Sequence, residues 1–306
     1  MRSLLCLVAC AACGSSGAGT PDATPDAAPV TFTPASGTTM VLTATMPVGA
    51  REVVLFVPAF DYDRSQAYLL FVNDGQDATA LRVALTLDDL WTAGTLQPMV
   101  VAALPVTPGG VRLQDYGTAE HDVSIACDPG NGQALLGTAA GAYARYVIDD
   151  ALPAVVHATG IVPAAQRTGF LGASLGGLSA FSIAWDHPEV FGLAGALSGS
   201  FWWRTMSGTV EERQQSRIMQ AIVARSAAHP GFRAWLEAGT DDETADRDGD
   251  GIIDAIDDTL DLIAALTALG FHEGVDVVYD QVEHGAHAYP TWSAVLPDFL
   301  RYAAGK

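Results

Sequence analysis

The chain has 306 residues and a formal charge of -20, with 15 Lys+Arg against 35 Asp+Glu. A surface this acidic excludes nucleic acid as a partner, because a phosphate backbone must be neutralised by cationic side chains. Hydrophobic residues make up 49% of the chain, enough for one large core, and α/β enzymes of roughly 250 residues commonly form a single domain.

The N-terminal run MRSLLCLVACAACGSSG places one basic residue before a short apolar stretch and small residues. It has the make-up of a signal peptide over residues 1–13 and is too short to span a bilayer. LVAC (Leu7 to Cys10) has the form of a bacterial lipobox, with Cys10 as the lipidated residue and Cys13 as the alternative. That predicts a lipoprotein of the bacterial cell envelope, or otherwise a secreted protein, with membrane contact only through the anchor. Cys127 then reads as a lone thiol, a Cys13–Cys127 disulfide being open only with Cys10 as the modified residue. Residues 14–29 are small, polar and proline-rich, which predicts a flexible linker. Residues 30–306 read as one α/β domain.

Short apolar runs with β-branched residues predict strands at 40–46, 52–58, 67–73, 98–105, 167–173, 191–199, 232–239 and 276–282. Apolar positions at three- and four-residue spacing predict helices at 139–156 and 259–271, the second stopped by Gly270, and another helix spans 177–188. Strands alternating with crossover helices predict a mostly parallel central sheet with helices on both faces. Residues 113–137 carry many turn formers and read as a long loop.

Within GFLGASLGG, Gly172-Ala173-Ser174-Leu175-Gly176 matches G-x-S-x-G between an apolar strand and an apolar helix. In that context the serine sits on a tight, strained turn at a helix N-terminus, where free N–H groups favour developing negative charge. Ser174 is the candidate nucleophile. A serine needs a base, and in this arrangement the order is serine, acid, histidine. His287, in EHGAHAYPTW after the last predicted strand, is the candidate base ahead of His284. The acid follows the penultimate strand in GTDDE: Asp242 is the choice, with Asp241 and Glu243 as alternatives. Two backbone donors form the expected oxyanion hole, the N–H of Leu175 and the N–H of Gln76 in VNDGQD.

These segments together resemble the esterase D-like family of α/β-hydrolases, which includes ferric enterobactin esterases and feruloyl esterase-like domains. YLLFVNDGQD, RTGFLGASLGGLSAFSIAWDHPEVFGLAGALSGSFWW, EAGTDDE and EHGAHAYPTW carry the resemblance, which extends from about Val53 to Tyr302. It implies carboxylic ester hydrolysis by Ser174, His287 and Asp242, with the oxyanion held at Gln76 and Leu175. It also implies that Trp202 and Trp203 line the substrate pocket, although they can equally be core residues. Small-molecule or carbohydrate-linked esters are the expected substrates. An acyltransferase of the same fold and a non-catalytic surface binding protein are the alternatives.

TADRDGDGIIDAIDD has a different logic. Counted from Asp246, acidic residues occupy positions 1 (Asp246), 3 (Asp248), 5 (Asp250), 9 (Asp254) and 12 (Asp257). Gly251 stands at the sharp-turn position 6, and Ile252 at position 7 offers its carbonyl. This is the pattern of an EF-hand-type calcium loop, with aspartate in place of glutamate at position 12 and no helix before it. It predicts a structural Ca2+, because neither histidine nor cysteine accompanies the carboxylates.

Overall fold

A computed structural model describes residues 29–107, 112–118, 137–206 and 208–306. The expected signal peptide, Cys10, Cys13, Cys127 and nearly all of the linker lie outside the described residues.

Among the described residues nine strands form one sheet: β1 (Thr33–Pro34), β2 (Val41–Val48), β3 (Arg51–Pro58), β4 (Tyr68–Val72), β5 (Met99–Ala103), β6 (Thr168–Ala173), β7 (Leu193–Leu197), β8 (Arg233–Asp241) and β9 (Val277–Ala286). Their spatial order is β1-β2-β3-β5-β4-β6-β7-β8-β9. The first three pair antiparallel, β3 pairs antiparallel with β5, and all strands from β5 to β9 run parallel. The predicted mostly parallel sheet is therefore present, and each predicted strand coincides with an observed one to within a few residues. Only the two-residue β1 has no counterpart in the prediction.

The period of two along each strand explains why these runs read as continuously apolar. Leu69, Phe71 and Phe170 enter one core layer, while Leu70, Val72 and Leu171 enter the layer on the opposite face. The first layer is closed by α3 (Ala140–Arg145), α4 (Leu152–Thr159), α5 (Leu175–Asp186), α7 (Ile218–Arg225) and α8 (Asp254–Ala268). The second is closed by α1 (Val83–Thr92) and α9 (Tyr289–Ala304). Short helices α2 (Arg112–Asp115) and α6 (Val210–Gln215) lie outside this framework.

The helix predicted at 139–156 is α3 and α4 joined through a π-helical stretch, Tyr146–Ala151. Pro153, in the first turn of α4, has no N–H to give the preceding turn, and the chain widens there instead of breaking. The helix predicted at 259–271 begins five residues earlier, at Asp254, and Gly270 follows its end with φ 97° as expected. Helices α1, α2, α6 and α7 were not predicted, and α2 begins the segment read as a long loop.

Parallel strands all deliver their C-terminal ends to one edge of the sheet. The ends of β4, β6, β7, β8 and β9 carry Asn73, Ser174, Ser198, Asp242 and His287 respectively. Open α/β sheets bind ligands at such an edge.

Candidate active site

Ser174 stands between β6 and α5 with φ 58° and ψ -127°, a conformation that L-residues rarely adopt. Its N–H donates to the Leu197 carbonyl at 2.9 Å, and its own carbonyl accepts from Ser200 N–H at 3.1 Å. The tip of β7 thus holds the turn from both sides. Gly172 makes the turn possible: a Cβ there would lie 2.1 Å from the Gly176 carbonyl oxygen. Ser174 Oγ lies 3.5 Å from Ser200 Oγ.

Leu175 opens α5, and Gln76 is the middle residue of a 3-10 turn, Gly75–Asp77, after β4. Among the described residues neither N–H donates to a protein acceptor. Several side chains tie the β4 loop to the elbow. Asn73 Nδ2 donates to the Gly176 carbonyl at 2.8 Å, and Tyr143 hydroxyl donates to Asn73 Oδ1 at 2.5 Å. Asp74 takes the left-handed conformation, φ 55°, and its N–H donates to the Tyr116 hydroxyl at 2.9 Å. Burial pushes both phenols well above their usual pKa, so they act here as neutral hydrogen-bonding groups. Arg112 donates twice to the buried Asp74 carboxylate, each at 2.8 Å, and once to the Ala173 carbonyl at 3.1 Å.

β8 and β9 build the opposite side. Their pairing slips between Gly239 and Asp241, where a bulge brings Asp241 opposite Ala286. A Cβ at Gly239 would lie 2.1 Å from the Gly285 carbonyl oxygen, so only glycine permits this crossing. The bulge separates the three consecutive carboxylates. Asp241 points outward, 3.5 Å from His284 Nδ1, and the His284 side chain is 80% exposed. The Asp242 side chain is fully buried and lies 3.8 Å from His287 Nδ1. Glu243 is partly buried, and burial together with Asp254 raises its pKa. Of the three candidate acids, Asp242 is the one brought to His287.

Asp242 Oδ1 accepts from Ser198 Oγ at 3.0 Å, and Ser198 Oγ accepts from Trp292 Nε1 at 2.8 Å. Trp292 also packs edge-on against the His287 ring, centroids 5.1 Å apart. One indole therefore supports both acid and histidine. Sequence reasoning missed Asn73, Arg112, Ser198 and Glu237, which sits below Ser198. Glu237 carried a visible signal, a lone carboxylate inside an apolar strand.

Trp203 corrects an expectation. It is buried in the core, with its edge against Gly117 and Gly137, and so does not line an open pocket. Only Trp202 of the pair is partly exposed.

In the aspartate-rich loop, carboxylate oxygens of Asp246, Asp248 and Asp250 lie within 4.8 Å of one another. Asp246 accepts from Gly249 N–H at 2.7 Å and Gly251 N–H at 3.0 Å, and Asp250 accepts from Ile252 N–H at 2.8 Å. Gly249 and Gly251 both have positive φ. Asp257, in the first turn of α8, is pushed up to about 6 by burial, then by Asp250 and Asp248. These residues fit a hard cation with oxygen ligands. Asp254 does not: its carboxylate accepts from the Arg247 backbone N–H at 2.9 Å and pairs with the Arg247 guanidinium at 3.1 Å. Position 9 is occupied with a cation from the loop's own position 2. Arg247 also pairs with Asp258, as does Arg217, the residue that precedes α7.

A strained serine at a strand-to-helix turn, on a sheet of this order, defines an α/β-hydrolase fold. The family model described as "Putative esterase" matches residues 55–303, and the chain belongs to this esterase family. The iron(III) enterobactin esterase of Dickeya dadantii is 25% identical over 188 residues, 60% of this chain and 38% of that protein. The Escherichia coli (strain K12) enzyme of the same name is 34% identical over 93 residues, 30% of this chain and 22% of that protein. The chain thus matches well under half the length of these relatives. Among solved structures, enterochelin esterase from Shigella flexneri superposes with a TM-score of 0.62 at 21% identity, covering 87% of this chain and 58% of that one. A ferulic acid esterase gives 0.61 at 16% identity, with 86% and 97% covered. At such identities the likeness is one of fold.

Proposed function

We propose that the protein is a serine carboxylic-ester hydrolase working through an acyl-enzyme. Ser174 Oγ attacks the ester carbonyl while His287 takes its proton. The tetrahedral oxyanion is held by the N–H groups of Leu175 and Gln76. His287 then protonates the leaving alcohol, and water releases the acid by the same steps. Asp242 fixes the imidazole and stabilises its cation. The observation that carries this reading is the strained Ser174 turn, a cost of order 1–3 kcal/mol, with the Leu175 and Gln76 N–H groups lacking an acceptor among the described residues.

The substrates we propose are small-molecule or carbohydrate-linked esters that reach the site past Trp202. The relatives named for enterobactin and ferulic acid support a phenolic acyl or alcohol component. A calcium ion held by Asp246, Asp248, Asp250, Asp257 and the Ile252 carbonyl would serve structurally, removing the repulsion among carboxylates in the segment that follows Asp242. An N-terminal lipid anchor at Cys10 would place the enzyme in the cell envelope.

The test is Ser174→Ala assayed on short aryl esters, with a fluorophosphonate probe as the second readout. Loss of both turnover and labelling is expected. Undiminished turnover by the variant would sink the proposal.

A further inference from the structure

Glu237 is a buried acid that the proposed chemistry leaves unused. The alternation along β8 turns Trp235 and Glu237 to the same face, the face covered by α9, where Trp235 packs against Phe299 and Tyr302. An apolar residue would suit this position. Glu237 is instead fully buried, and among the described residues no arginine, lysine or histidine pairs with it. Its Oε2 accepts from Ser198 N–H at 3.0 Å and lies 3.5 Å from Ser198 Oγ. That same Oγ is hydrogen-bonded to Asp242 at 3.0 Å. A single serine therefore bridges the two carboxyl groups.

The hydrogen bonds around this serine do not satisfy both carboxyl groups. Ser198 Oγ has one proton and directs it to Asp242 while receiving the Trp292 N–H. Two buried oxygens then remain without a partner, Glu237 Oε1 and Asp242 Oδ2. Both are acceptors if both groups are ionised, and each would be left desolvated and unsatisfied. Placing one proton on Glu237 removes one of the two desolvated negative charges and leaves the other on Asp242. The groups facing Glu237 from the surrounding elements are Ser198 at the end of β7, Asp242 at the end of β8, Asp280 from β9 and Trp292 from α9. None is a cation; the Ser198 hydrogen bonds favour a charge on Glu237, and burial and the Asp242 charge outweigh them.

We propose that Glu237 is the neutral half of a one-proton carboxyl pair with Asp242, a positioning residue that keeps the single negative charge on Asp242 and holds it toward His287. This rests on the triad reading given above. Burial, and next the Asp242 charge, push the Glu237 carboxyl up to about 8, in line with a proton held at neutral pH. Once that proton leaves, two carboxylates compete for one serine hydroxyl. Glu237 is fixed in mid-strand, so Asp242, at the strand end, is the one that swings away and releases His287.

The experiment has two arms. Infrared difference spectra compare Ser174→Ala with Ser174→Ala/Glu237→Gln at pH 7. A protonated-carboxyl carbonyl band present in the first and missing from the second is expected. Its absence from the first, or its persistence in the second, overturns the proposal whether or not Ser174 is the nucleophile. The second arm records pH profiles of kcat/KM on the Ser174 enzyme. Glu237→Gln, whose amide supplies a donor, should lose no more than about tenfold at pH 7 and lack the fall in activity expected of the parent near pH 8. Glu237→Leu, with no donor, should lose about a hundredfold. Equal losses in both variants, or an unchanged alkaline fall in Glu237→Gln, count against it.

Discussion

Arg112 grips Asp74 through two parallel hydrogen bonds of 2.8 Å while reaching the Ala173 carbonyl at 3.1 Å. Asp74 lies two residues before Gln76 and Ala173 one before Ser174, so a single guanidinium fixes both donors of the proposed oxyanion hole. Replacing it by alanine leaves a buried carboxylate unpaired, which costs about 3–5 kcal/mol. Arg112→Ala is therefore expected to melt well below the parent and to lose at least tenfold in kcat. Arg112→Lys keeps the charge but not the fork, and should regain stability more than kcat. Steady-state kinetics beside thermal melts check this. Parallel recovery of both by lysine would mean the arginine acts through charge alone.

Asp241 and Asp242 are adjacent in sequence and opposite in environment. The Asp241 side chain is 59% exposed, and that of Asp242 is fully buried beside His287. Asp242→Asn should lower kcat by about 10³–10⁴-fold, as loss of the orienting acid does in such triads. Asp241→Asn should stay within about twofold. Likewise His287→Gln should abolish turnover and His284→Gln should not. An Asp241→Asn enzyme as impaired as Asp242→Asn would reassign the acid.

The bulge that separates these two aspartates explains how far the sequence could be read. The central strands were legible because each of β4 to β7 is buried on both faces and therefore appears as an apolar run, as in YLLFV. The elbow was legible because its glycines stand where an added Cβ would meet another atom, at 2.1 Å for Gly172 and 2.8 Å for Gly176. GTDDE carries no mark of the slip at Gly239, so sequence order alone leaves its three acids equivalent. Glu237 was absorbed into an apolar strand, and Arg112 lies beside a stretch without periodicity. Asp254 fits the metal-loop spacing, but spacing cannot show that Arg247 reaches it first. Trp203 shows the same limit from the other side, because an aromatic pair reads alike whether it faces substrate or core.

Glu237 also makes stability depend on pH, and the sign follows from its raised pKa. Between its ordinary value of 4.5 and about 8 the folded protein holds a proton that the unfolded chain has released. The native state then binds more protons, so stability falls as pH rises through this window and levels off above it. The buried position makes the full effect several kcal/mol at most. Glu237→Gln removes it. The variant should gain stability relative to the parent from pH 5 to pH 8, read as a melting-temperature difference that widens with pH. A difference independent of pH would place the Glu237 proton elsewhere.

Arg247 and Asp258 join the acidic loop to α7 through Arg217, so a cation at Asp246, Asp248 and Asp250 would stabilise more than the loop itself. Extracellular sites of this ligand type bind calcium at about 10⁻⁴–10⁻³ M. At about 10 mM calcium such a site contributes about 1.4–2.7 kcal/mol by mass action, a few degrees of melting temperature in a domain of this size. EDTA should remove that shift, and magnesium should not restore it, because Mg2+ demands a tighter octahedron than a loop of this kind offers. Asp248→Asn should abolish the calcium response while leaving the metal-free melting temperature equal or higher, since it takes one charge out of a repelling cluster. Arg247→Gln, by contrast, should lower the melting temperature with or without calcium, because it strands the buried Asp258 with Arg217 alone. Identical melting curves in calcium and in EDTA would take the ion out of the account and leave the Arg247 pairing as what holds the segment.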